Sequence, residues 1–131
     1  MIKAVHTLIY SDNAEATRAF LRDVLQWPSV AEPDAVPSWP IFKTGPSEMG
    51  IHPTSGGSGD QAYSTPRHHS ISLVCDDIAA TKAELEGRGA VFIGEIRDLG
   101  FGLAIELDLP GAGPILVYEP RHPEAFDLPP S

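Results

Sequence analysis

A chain of 131 residues is one domain, long enough to bury roughly two-thirds of its unfolded surface. Nine basic against eighteen acidic side chains leave a net charge of −9, which argues against nucleic acid as a partner, since phosphate binding relies on clustered Lys and Arg. No apolar run spans a bilayer and no signal-peptide pattern opens the chain, so no membrane partner and a cytoplasmic location are expected. The single cysteine, Cys75, allows no internal disulfide and reads as a small buried hydrophobe.

Residues 3–10 alternate and carry β-branched and aromatic side chains, which predicts a strand. Ser11, Asp12 and Asn13 supply a helix cap, and Ala14, Thr17, Leu21, Val24 and Leu25 follow at helical spacing until Trp27-Pro28 stops them. Residues 29–40 are proline-interrupted and predict a short strand or two. Ile41–Lys43 and Met49–His52 read as further strands, with a turn at Gly45-Pro46 between them. Thr54–Pro66, glycine- and serine-rich, reads as a flexible connector.

The second half repeats the order. Residues 69–75 predict a strand, Asp76-Asp77 a cap, and a helix runs to Gly87-Arg88-Gly89. Val91–Ile93 opens another strand. Leu103–Leu109 alternates, turns over Pro110–Gly113 and returns as Ile115–Glu119. The tail after Pro120, with His122 in it, reads as surface. His6–Leu21 is echoed by Ser70–Leu85, with Ala16-Thr17-Arg18-Ala19 standing against Ala80-Thr81-Lys82-Ala83. A long repeat seen only twice implies paired modules in one domain rather than a solenoid. Module one covers about 1–54, a linker 55–67, module two about 68–120, and a proline-rich tail 121–131.

Two strand–helix–strand–strand–strand modules in tandem, with His68–Ile78 and Leu116–Pro120 as the most specific stretches, resemble the vicinal oxygen chelate superfamily of glyoxalases, bleomycin-resistance proteins and extradiol dioxygenases. The resemblance implies an α+β, glyoxalase-like fold: two βαβββ modules forming a curved mixed sheet around a cavity, assembled as a homodimer. It also implies a divalent metal held by the first and last strands of the modules. The family's first-strand ligand stands six residues before the acidic cap, which selects His6 and Ser70; the last-strand ligand precedes the strand exit, which selects His52 and Glu119.

Two imidazoles and a carboxylate suit Zn, Ni, Mn or Fe(II), leaving open sites for substrate. On this reading Glu119, Val117 and Ile115 line the interior, as do His6, Leu8 and Tyr10. Serine replaces histidine at position 70, so His69 is an alternate ligand if a bulge swings it inward. Glu48 is a candidate base beside the metal. Tyr10, Ser70 and Phe101 are candidate substrate contacts, and Trp27, Trp39 and Tyr63 further candidates for stacking on a ligand. Two functions follow. One is a metal-dependent lyase, isomerase or dioxygenase acting on a small oxygen-chelating substrate. The other is a metal-free protein of the bleomycin-resistance type that sequesters a small compound, cationic ones included.

Overall fold

The structure, a computed structural model, describes residues 1, 3–31 and 39–129. Most of the proline-rich stretch expected to hold a short strand or two lies outside them, as do the last two residues of the tail.

The centre of the molecule is a four-stranded sheet built wholly from the second module. Its strands are β5 (Ser72–Val74), β6 (Phe92–Asp98), β7 (Gly102–Leu109) and β8 (Gly113–Pro120), in the order β5-β8-β7-β6. The β7–β8 pair is an antiparallel hairpin turning over Pro110-Gly111-Ala112, and β5 runs parallel to β8. That parallel pair needs a crossover. Helix α2 (Ile78–Gly87) supplies part of it, beginning where the Asp77 side chain accepts from the Ala80 amide. The register between β6 and β7 shifts between Ile93 and Arg97, with Gly94 in the left-handed region at φ 76°.

Alternation sorts this sheet into two faces. Leu107, Ile105, Leu109 and Val117 are buried in one core with Phe20 of α1 (Ala14–Asp23) and Ile78 and Leu85 of α2. Leu73, Leu103 and Ile115 pack against it from the same side. Both helices therefore cover one face. The opposite face carries Ser72 and Val74 of β5, opposite Leu116 and Tyr118 of β8, and these in turn opposite Glu106 and Ala104 of β7.

Helix α1 comes from the first module yet docks on the second. Asn13 caps it by accepting from the Ala16 amide. Buried Thr17 donates its hydroxyl to Pro110 O at 2.5 Å, and the Asp12 amide donates to Gly111 O at 2.9 Å. Gly111 has φ 82°, and a Cβ there would lie 2.5 Å from Ser11 Oγ, so only glycine permits this approach. At its other end α1 closes in a Schellman-like turn: Gln26 takes φ 59° and the Trp27 amide reaches back to Leu21 O. Arg88 Nη1 then donates to Val24 O, joining the C-terminal ends of the two helices.

The first module is more sparsely paired. β1 (Ser29–Val30) and β2 (Ile41–Phe42) form a two-residue antiparallel ladder. Residues 3–10 and 49–52, expected as strands, join no ladder among the described residues and are exposed. The expected flexible connector is partly ordered instead. It folds into a small hairpin of β3 (Ser55–Gly56) and β4 (Tyr63–Ser64) over a 3-10 turn at Gly59–Gln61, and Tyr63 Oη donates to Pro53 O.

Leu107 is fully buried among both helices' partners. Truncation in Leu107→Ala is expected to lower the free energy of urea unfolding by about 2–5 kcal/mol, through lost burial plus the cavity left behind.

Candidate functional site

Each expected metal donor can be followed to its place. His6 and His52 lie exposed on unpaired segments. Ser70 and His69 are exposed just ahead of β5. The β5–β8 ladder begins two residues after Ser70 and runs in regular register over Ser72–Val74. Glu119 corrects the expected orientation of β8. Its neighbours on the same face, Val117 and Ile115, pack against the helices rather than lining a cavity, and Glu119 Oε1 accepts from the Ile78 amide at 3.1 Å. The carboxylate thus caps the N-terminus of α2, where unpaired amides favour negative charge. Among the described residues no three His, Cys, Asp or Glu side chains gather closely enough to hold a metal ion. Within one chain His6, His52 and Glu119 are thus not brought together, and one Glu119 oxygen is engaged by the helix.

Cys75 lies on the same helix-covered face and donates its backbone amide to Tyr118 O at 3.0 Å. Burial pushes its thiol pKa up. Thr81 pulls the other way by a hydrogen bond, and the carboxylates of Glu119, Asp76 and Asp77 reinforce the rise. The thiol is therefore not a poised nucleophile.

A different group of candidates does come together, where β8 leaves the sheet. Tyr118 projects from the uncovered face and meets Phe101 edge to face, with centroids 5.3 Å apart and planes at 84°. Tyr118 Oη lies 3.0 Å from His122 Nε2, and His122 Nδ1 lies 2.7 Å from Pro123 O. Glu48 Oε2 accepts from the Ala125 amide at 2.7 Å, which draws the tail back onto the first module. Burial, then the charges of Glu48 and Glu124, raise the Tyr118 pKa above its ordinary value. The tail is anchored at its start by Arg121, whose amide donates to Phe101 O and whose guanidinium holds the exposed Asp98 carboxyl below the usual range.

So Glu48 and Phe101 stand at one locus, though Glu48 engages a tail amide rather than a metal-bound group. Tyr10 is exposed on its unpaired segment, as is Trp39. Tyr118 was not singled out by sequence reasoning, and His122, read as a surface residue, is half-buried against it. The available signal was their four-residue spacing across the strand exit, which brings an inward tyrosine and a tail histidine together once the tail folds back.

The uncovered face carries Leu116, partly buried, and Val74, exposed, beside fully buried Ala104, with Ser72 at one margin and Glu106 at the other.

The chain belongs to the Glyoxalase/Bleomycin resistance protein/Dioxygenase superfamily, whose family model matches residues 3–114. The α+β fold is the glyoxalase-like one shared by its structural neighbours. It is similar to a crystal structure of lactoylglutathione lyase from Agrobacterium tumefaciens, with TM-score 0.56 and 20% identity over 90% of this chain and 94% of that one. TnmS3, an antibiotic-binding protein from Streptomyces sp. CB03234, matches with TM-score 0.59 and 16% identity over 91% and 97%. A superfamily member from Sphaerobacter thermophilus DSM 20745 matches with TM-score 0.53 and 21% identity over 90% and 98%. At such identities these likenesses speak for the fold alone. No curated protein matches the chain by sequence.

Two outcomes check this geometry. Glu119→Ala is expected to cost about 1 kcal/mol of stability in urea by leaving the Ile78 amide uncapped, with Glu119→Gln costing less. Cys75 is expected to react with iodoacetamide at pH 8 more slowly than free cysteine, and to gain speed when urea exposes it.

Proposed function

We propose that this chain is a metal-free binding protein that holds a small, flat, largely apolar molecule against the uncovered face of its sheet. The observation that carries the reading is the bond from the Ile78 amide to Glu119 Oε1. It commits the one carboxylate of the expected donor set to the helix side, and alternation then turns Leu116 and Tyr118 toward the ligand side. A floor of Leu116 and Val74 would gain affinity from apolar contact, and one polar group at Tyr118 would fix orientation. No chemical step is assigned to Cys75, which lies on the helix side with its thiol pKa raised by burial.

Assembly as a homodimer belongs to the same proposal. Leu8, Tyr10, Met49 and Ile51 are exposed, Ile51 at 86%, on extended segments without a ladder partner. A second copy would pair those backbones and close the ligand space from above.

Three results test the proposal. Fluorescence titration with 2-naphthol is expected to give saturable binding that EDTA leaves unchanged and that Leu116→Glu weakens at least about tenfold, by placing a desolvated charge on the floor. Elemental analysis of untagged protein is expected to find no stoichiometric Zn, Ni, Mn or Fe. Retained metal that disappears in a His6→Ala, Glu119→Ala variant would instead establish the metal-dependent enzyme. Light scattering is expected to give a dimer mass, and Ile51→Asp to shift it toward monomer.

A further inference from the structure

The Tyr118–His122 contact has a direction, and the direction follows from the atom on the far side of the ring. His122 Nδ1 lies 2.7 Å from Pro123 O. A carbonyl oxygen only accepts, so Nδ1 carries hydrogen. In neutral imidazole the other nitrogen is then bare, and Nε2 accepts from the Tyr118 hydroxyl 3.0 Å away. The hydroxyl proton is thereby committed to His122, and what Tyr118 offers a ligand is an oxygen lone pair.

Resting on the binding reading above, we propose that the Tyr118–His122 pair is the specificity-determining subsite of the uncovered face. With His122 neutral it selects a ligand that donates a hydrogen bond. When His122 gains a proton, Nε2–H donates to the tyrosine oxygen, and the hydroxyl hydrogen is released to a ligand acceptor. The preference of the site inverts without movement of either ring.

The surroundings are consistent with this. Tyr118 meets Phe101 edge-on, which holds its ring while leaving the oxygen at the margin of the floor. The charged groups bearing on Tyr118 are Glu48, from the segment before β3, and Glu124, from the tail. Both are carboxylates, and both favour a ligand that presents a donor hydrogen. Arg121, the nearest cation along the chain, is engaged by Asp98 of β6. The spacing from Tyr118 to His122 is kept by the tail, itself fixed through the Ala125 amide on Glu48.

The test uses the full-length protein and two matched probes, 2-naphthol, which donates, and 2-methoxynaphthalene, which only accepts. The ratio of their affinities is expected to be about fivefold more in favour of naphthol at about pH 8 than at about pH 5, about one hydrogen bond's worth. Tyr118→Phe and His122→Ala, each checked for native unfolding, are expected to give flat ratios. Nitrogen-15 NMR of His122 at pH 8 is expected to report the Nδ1–H tautomer. A flat ratio in the wild type, a pH-dependent ratio that survives His122→Ala, or an Nε2–H tautomer each overturns the polarity assignment while leaving the binding face intact. If neither probe binds, the binding reading fails and this proposal with it.

Discussion

Everything about this molecule turns on which way β8 faces. A strand can present only alternate residues to one side, so once Val117 enters the core with Ile105 and Leu107, the roles of its neighbours are settled. Glu119 must fall on the helix side, and Leu116 and Tyr118 on the other. The bond from the Ile78 amide to Glu119 secures the choice from outside the core. Reversing the strand would bury Tyr118 among the helices and leave a helix N-terminus without its carboxylate. The core and the site are therefore two sides of a single decision.

That decision marks the boundary of what the sequence made legible. The caps at Asn13 and Asp77, both helices and the β7–β8 hairpin follow from local signals, and those signals act within a few residues of where they are read. The duplication and the resemblance carried the family and the α+β architecture, which the family model bears out. The orientation of β8 was less accessible. Ile115, Val117 and Glu119 share a face under either assignment, and the period alone does not say whether that face meets helices or ligand. Only the long-range partners Phe20, Ile78 and Leu85 decide it. Likewise residues 3–10 have the composition of a strand, but a ladder needs an edge to join, and composition does not supply one.

The two modules have come to serve different ends. The second supplies the whole sheet and one helix. The first contributes a helix to that sheet, the short β1–β2 ladder, and two apolar segments, carrying His6 and His52, that join no ladder among the described residues. A fold that hosts both catalysts and binders leaves function to such particulars. Here they are a carboxylate used as a cap, a serine at position 70, and a tyrosine–histidine pair where the last strand meets its tail.

The docking of α1 has a consequence for how the chain reaches this state. Thr17 and the Asp12 amide find their partners at Pro110 and Gly111, more than ninety residues further along the sequence. On a ribosome the earliest helix is made long before the turn that receives it, and it must wait, its Phe20 face uncovered, until the last hairpin emerges. Contacts so distant along the chain slow folding and leave apolar surface exposed meanwhile. The seat for α1 is the β7–β8 turn, so the helix has nothing to dock on until that hairpin has formed.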